Sequence, residues 1–474
     1  MMRHLLPVTL LTAALAACAA GPAHRPPGRP VAEAPAARAP FVGARGDAFA
    51  QAPLPPRWWR LYDDARLDAF EEEALAANAD LRAADANLRR AGFAIAEAEA
   101  ARTVQTSLSG LAEASQVGNY TLPKPGTPYA YSLGLSMAYP LDLFGLIRRG
   151  IAAAKDNAEA VEAARDQVRV TVAAEVARRY LAVCSANVTL AATGHVLAVQ
   201  RQTLDVTRRL QRGGRGTAFD VTRAQAAVDQ SAAAVPTILA ARRGALLALA
   251  ALLGRPAADL PREVERCPAP PTLHQPLPVG DGAALIRRRP DIRQAERTLA
   301  AATAMIDVET ARLYPQVSIG GSAGIAGPFG TLGSPSTFGG SIGPLLSWSF
   351  PNRVAVRARI GAAGAAADAA FARFDGQVLD ALRQTETALN AYAREIDRTR
   401  ALEAARDAAA RATDQAGRLF RFGRIGLLDV LTSQATLANA ETALAQNRAT
   451  LADRRIDLFL ALGGGWEADP APSR

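Results

Sequence analysis

The sequence predicts an α+β membrane protein in which each protomer gives four β-strands to a barrel shared by three copies, while long coiled-coil helices make up most of the rest. Three observations carry that prediction: the chain is one unit written twice, two very long Ala-rich stretches lack proline, and four short segments alternate large apolar with small residues.

The repeat comes first, because it governs every later assignment. Asp80-Leu81-Arg82 with Ala84 and Leu88 recurs as Asp291-Ile292-Arg293 with Ala295 and Leu299. Arg209-Leu210, Arg212, Gly214-Arg215, Asp220-Val221, Gln225 and Gly254 recur, 209 positions on, as Arg418-Leu419, Arg421, Gly423-Arg424, Asp429-Val430, Gln434 and Gly463. Chance matches do not hold register that long. The implied segments are a signal over 1–17, a strap over 18–56, a first repeat over 57–270, a second over 271–466 and a tail over 467–474.

Each repeat reads as helix, two strands, very long helix, turn and returning helix. From about Phe144 to Gln211, and from about Arg353 to Phe422, apolar residues recur at steps of three and four, as in Val168, Val172, Val176, Tyr180 and Val183, or Phe371, Phe374, Val378, Leu389 and Tyr392. Roughly 68 residues at about 1.5 Å each would reach on the order of 100 Å. No globular core needs such a helix. The glycines Gly213-Gly214 with Gly216, and Gly423 with Gly426, then stop the helices before an antiparallel return.

The strand segments lie between the helices. Tyr129, Tyr131, Leu133, Leu135, Met137, Tyr139 and Leu141 alternate with Ala130, Ser132, Gly134, Ser136 and Ala138. Val317, Ile319 and Ile325 alternate with Ser318, Gly320, Ser322 and Gly324, and Phe338, Ile342, Leu346, Trp348 and Phe350 with Ser341, Gly343, Ser347 and Ser349. A weaker strand is expected at about Val104 to Ala114. Large residues on one face, small polar ones on the other and aromatics near both ends make the pattern of a transmembrane barrel. Four strands cannot enclose a pore, and open edges are not tolerated in lipid. Three copies would supply twelve.

Composition agrees. Hydrophobic residues make up 49% and aromatics only 5%, which suits closely packed Ala-, Leu- and Val-rich helices. The net charge of +9 does not indicate nucleic acid, because it is spread along the chain among Asp and Glu; Lys124 and Lys155 are the only lysines. His24, His195 and His274 are too scattered for a metal cluster or a catalytic triad, no phosphate loop follows a strand, and Asp63-Asp64 reads as a turn or helix start. An enzyme is excluded on these grounds, and no cofactor is expected. Of the cysteines, Cys184 reads as a small buried hydrophobe, a bond to Cys267 in an oxidising periplasm being the other option.

Cys18 has a separate role. Arg3 followed by the short apolar run Leu5 to Ala17 reads as a secretory signal, and Leu15-Ala16-Ala17-Cys18 resembles the bacterial lipoprotein box, with an ordinary cleavage site near Ala20 as the alternative. Acyl chains on Cys18 would anchor the chain firmly. Ala19, where Asp resembles an inner-membrane retention signal, favours the outer membrane. The Pro-, Ala- and Arg-rich stretch to Pro56 should be an extended strap.

Further motifs are Trp58-Trp59 with Leu61, Asp64 and Leu67, Ala74-Leu75 and Asn78, the run Arg289 to Glu296, Ser341 to Pro344 through Trp348, and Ala461 to Trp466. With these the chain resembles the TolC-like outer-membrane efflux proteins, specifically the NodT-type lipoprotein branch. The resemblance implies a homotrimeric channel-tunnel whose barrel sits in outer-membrane lipid and whose coiled coils form a periplasmic α-barrel. It further implies docking to a periplasmic adaptor and an inner-membrane transporter of the resistance-nodulation-division class. In that family the hairpin ends form the gate and adaptor contact. Carried onto this sequence, the candidates are Gly214, Phe219, Asp220, Gly423, Leu428 and Asp429, with Thr432 where relatives often carry Asp. An acid in the first turn of a returning helix is equally explained by the helix dipole. Type I protein secretion, metal export and a non-conducting periplasmic scaffold are the alternative functions.

Overall fold

The computed structural model describes residues 28–114, 129–273, 275–348 and 353–466. Cys18 and the rest of the signal, His24, Lys124, His274 and Phe350 lie outside the described residues. In chain order the main elements are α1 (Ala65–Ala77), α2 (Ala79–Ala100), β1 (Gln105–Ala114), β2 (Tyr129–Leu141), α3 (Leu146–Arg212), α4 (Ala218–Ala232) and α5 (Ala234–Leu252). The second half follows with α6 (Pro290–Ala311), β3 (Gln316–Pro328), β4 (Phe338–Ser347), α7 (Arg353–Arg421) and α8 (Leu427–Ala461). Two compact units result, one from Asn87–Glu162 and Gln294–Asp375, the other from Pro30–Ala86, Ala163–Arg293 and Gly376–Arg474.

The first unit is built on an antiparallel sheet of order β1-β2-β3-β4. Its central pair, β2 with β3, joins the two halves of the chain from Ala130↔Pro328 to Leu141↔Val317. β1 pairs β2 from Gln105↔Ala138 to Ala114↔Tyr129, and β4 pairs β3 from Phe338↔Ile325 to Ser347↔Gln316. Ion pairs tie the neighbouring helices: Arg149 to Asp307 at 3.1 Å, Lys155 to Glu99 at 3.2 Å and Arg297 to Glu159 at 3.0 Å.

The second unit holds the main aromatic core. Asp64 caps α1 by accepting from the Arg66 and Leu67 N–H groups at 2.9 and 3.3 Å, and its other oxygen accepts from the Tyr180 hydroxyl of α3 at 2.6 Å. Trp58 stacks on Phe459 of α8 at 4.4 Å. Asn78 breaks α1 from α2: its side-chain oxygen accepts from the Asp80 N–H at 2.9 Å, and its amide donates to the Leu252 carbonyl at 3.1 Å. Alanines 163, 173, 177 and 381 on the long helices are fully covered, which permits the close approach that bulkier residues would block.

Three findings depart from the sequence reading. Cys184 is not an unpaired hydrophobe: it is disulfide-bonded to Cys267, 83 positions away. The partner arrives from the loop after α5 and packs on a mid-helix residue, a contact no local pattern encodes. The returning helix of the first half is interrupted at Ala233, while α8 runs unbroken for 35 residues. Pro236 explains the break, since it lacks the N–H that a continuous helix would bond and its ring crowds the preceding turn. The strap is partly ordered: residues Pro35–Arg38 are helical, Phe49–Ala50 pairs in parallel with Leu277–Pro278, and the Val42 and Gly43 N–H groups bond the Glu386 carboxylate at 2.7 and 2.8 Å.

Two expectations follow. Replacing Cys184 and Cys267 by Ala opens a loop of 83 residues, so denaturant unfolding should show a loss of about 3–4 kcal/mol. Glu71 on α1 is wholly buried, no ion pair reaches it among the described residues, and burial pushes its carboxyl well above the ordinary range. Because the folded value is raised above that of the unfolded chain, its contribution is full below the ordinary carboxylate range and is lost as pH rises through the folded value. Glu71→Gln should flatten the pH dependence of the melting temperature over that window. Glu71→Leu should raise stability by about 1–3 kcal/mol.

Candidate functional site

Two features can do chemistry or transport: the sheet of the first unit and the helical ends of the second. In the sheet, period-two alternation places Leu108, Leu133, Leu135, Met137, Ile342 and Phe338 on one face, exposed by 72, 48, 45, 46, 85 and 67%. So much apolar area left open on a regular sheet suits hydrocarbon and not water.

The opposite face is small. Ser107, Ser136, Ser322 and Ser341 stand directly opposite one another across all four strands, with hydroxyl contacts of 2.7 Å between the first two and 2.9 Å between the last two. Beside them run Ser109, Gly134, Gly324 and Gly339. The larger side chains on this side are Leu111 and Leu345, near opposite ends of the sheet, with the polar Gln105, Glu113 and Gln316 at the strand ends.

Aromatics bracket the sheet. At one end Phe144 stacks on Tyr314 at 4.7 Å and the Trp348 indole donates to the Leu313 carbonyl at 3.2 Å. At the other, Tyr131 packs edge-on to Phe329 at 5.7 Å. Among the described residues no strand pairs with the outer edge of β1 or β4.

The helical ends repeat each other closely. α3 ends with the Arg215 N–H bonded to the Leu210 carbonyl at 2.8 Å, and α7 with the Arg424 N–H bonded to the Leu419 carbonyl at 2.9 Å. Gly214 and Gly423 sit between, both at φ +70°, a left-handed conformation that favours glycine in this closure. The seam between α3 and α8 sets the two ends level. Arg178 pairs with Asp457 at 2.8 Å, His195 with Glu441 at 3.6 Å, and the Gln434 amide donates to the Thr203 hydroxyl at 2.7 Å. Thr203 lies eleven residues before Gly214, and Gln434 eleven after Gly423.

The carboxylates at these ends have a structural task. Asp220 accepts from the Thr217 N–H at 3.1 Å and from its hydroxyl at 2.7 Å, while its own N–H donates back to that hydroxyl at 3.2 Å, completing a capping box. The Thr217 hydroxyl holds the Asp220 carboxyl below the usual range. Asp429 accepts from the Gly426 N–H at 3.1 Å, half of the same box because glycine has no side chain to answer. Phe219 and Leu428 are open to solvent by 67 and 53%, and Thr432 is exposed one turn beyond Gly426–Asp429. Thus Gly214, Phe219, Asp220, Gly423, Leu428, Asp429 and Thr432 all cluster at the two ends, the glycines and acids having local folding roles. Sequence reading passed over the Thr203–Gln434 tie, which joins residues 231 positions apart.

Two of the motifs singled out in the sequence, the run Arg289 to Glu296 and the run Ala461 to Trp466, are scaffold. Arg289 binds Asp291 at 2.5 Å, the Ala461 carbonyl at 2.8 Å and Gln384 at 3.0 Å, and the Trp466 indole donates to the Arg288 carbonyl at 2.9 Å. Among the described residues no group of acids, histidines or cysteines could hold a metal ion.

Comparison with known proteins agrees with this geometry. The family model described as outer membrane efflux protein matches residues 71–255 and 283–464. Nodulation protein T of Rhizobium leguminosarum bv. trifolii is 28% identical over 457 residues, 95% of each chain. Outer membrane protein OprJ of Pseudomonas aeruginosa is 29% identical over 470 residues, 97% of this chain and 95% of that one. Among solved structures, the outer-membrane channel OprN matches with a TM-score of 0.86 at 32% identity, covering 95% of this chain and 100% of that one. With its four-stranded sheet, long helices and twofold internal repeat, the chain belongs to the outer membrane efflux protein family.

Proposed function

We propose that the protein is the outer-membrane channel of a tripartite efflux pump, a passive and gated conduit that works as a homotrimer with a periplasmic adaptor and an inner-membrane resistance-nodulation-division transporter. The sheet carries this reading. One face is apolar and exposed, the other is mostly Ser and Gly with Gln105, Glu113 and Gln316 at the strand ends, and among the described residues both edges are unpaired. In lipid those edges need strands from other copies, and three copies give the smallest symmetric barrel whose small-residue face could enclose water.

A lumen of hydroxyls and glycine backbone imposes little chemical selection, so cargo is chosen by the transporter. The hairpin ends are the proposed gate, with Phe219 and Leu428 as apolar constrictions and Asp220 and Asp429 as carboxylates beside them. Cys18 is the proposed acylated residue that adds a lipid anchor to the barrel.

In planar bilayers the purified protein should conduct as a trimer; a monomer without conductance would favour a periplasmic scaffold. Replacing Leu428 and Asp429 by Ala should raise leak conductance severalfold, and unchanged conductance would remove both from the gate. Copurification should recover an adaptor and a transporter, and deletion should increase susceptibility to exported compounds. Cys18→Ser should abolish incorporation of labelled palmitate.

A further inference from the structure

The arginines at the hairpin ends are distributed in a way that the helix and gate readings leave unexplained. Arg209, Arg212 and Arg215 stand at the first end, and Arg418, Arg421 and Arg424 recur at the same places, 209 positions on, at the second. All six are exposed. Because the α3–α8 seam sets the two ends level, the six guanidiniums share one end of the unit.

Nearby carboxylates do not neutralise them. Asp205 pairs with Arg209 at 2.7 Å and Asp414 with Arg418 at 2.6 Å, while Asp220 and Asp429 accept from their own caps. Among the described residues no carboxylate forms a salt bridge with Arg212, Arg215, Arg421 or Arg424. Arginine in the last turn of a helix is favoured by the dipole, which accounts for Arg212 and Arg421. Arg215 and Arg424 lie one residue beyond the left-handed glycine, outside the last turn. Apolar groups lie among these cations: Phe422 is 80% exposed, Phe219 67% and Leu419 40%, and the Arg223 guanidinium lies over the Phe219 ring at 5.4 Å.

We propose that the paired hairpin ends form one docking surface for an acidic protein, whose carboxylates engage Arg212, Arg215, Arg421 and Arg424 while its apolar centre covers Phe219 and Phe422. The proposal rests on the reading of these ends as the partner-facing part of the channel and adds the chemistry of the partner. Guanidinium forks match carboxylates in two-point geometry, and exposed aromatics beside arginine are the composition of protein interfaces. Charge complementarity thus selects a protein with an acidic surface over a neutral or basic one.

The test titrates the full chain, purified in detergent, with a helical-hairpin peptide bearing four glutamates in its loop, the same peptide with four glutamines, and vesicles of phosphatidylglycerol. The glutamate peptide should bind at least about tenfold more tightly, and weaken between about 0.1 and 0.5 M salt. R212Q/R215Q/R421Q/R424Q should lose that preference, and R215Q/R424Q, which keeps every last-turn arginine, should lose part of it. Equal binding of the two peptides overturns the proposal. So does tighter binding of the vesicles through the same four arginines, which would assign the surface to anionic lipid. Bilayer conductance of the wild type is measured alongside. If the wild type does not conduct, the channel reading fails, while the peptide comparison still decides the nature of the surface.

Discussion

A strand edge in hydrocarbon has no water to bond, and most of this architecture follows from that single constraint. β1 and β4 each turn one row of backbone N–H and C=O groups outward, and among the described residues no strand receives them. A soluble protein could hide such edges with charge or a bulge, but the apolar face beside them excludes both. Closure by other copies is the remaining solution. It makes the barrel a property of the assembly and leaves each chain with a sheet that encloses no pore by itself.

The second unit supplies the stability that the sheet lacks. Its core is aromatic and disulfide-bonded, and its polar contacts span large sequence distances, such as Arg255 held by both oxygens of Glu73 at 2.6 Å, or Arg289 reaching the carbonyl of Ala461. The second of these satisfies a carbonyl in the last turn of α8 that would otherwise be buried without a partner. The most recognisable sequence runs of the chain therefore mark packing, whereas the surfaces expected to meet cargo are built of serine and glycine with little signature of their own.

Legibility followed the range of the interaction. Strand alternation was visible because lipid and water impose opposite demands on successive residues, and the helix ends were visible because Gly214 and Gly423 supply a backbone conformation that glycine favours. Pairing of Cys184 with Cys267 was hidden, since it depends on where a loop lands against a helix. Glu71 was hidden as well: in Glu71-Glu72-Glu73 only packing decides which acid faces inward. The arginines at the hairpin ends were legible as markers of the repeat, but not as one surface, because only the α3–α8 seam brings the two triplets level.

Pro236 gives the duplication a further meaning. It interrupts the first returning helix, whereas its counterpart position in the second half is occupied by Ala445 within an unbroken one. A ring made from six separate copies of one hairpin would have to accept every change six times over. Fusing two hairpins in one chain releases that restriction, so alternate staves can acquire different stiffness and different contacts while the circumference stays the same. A sixfold repeat of one hairpin becomes a threefold alternation of two different kinds of stave.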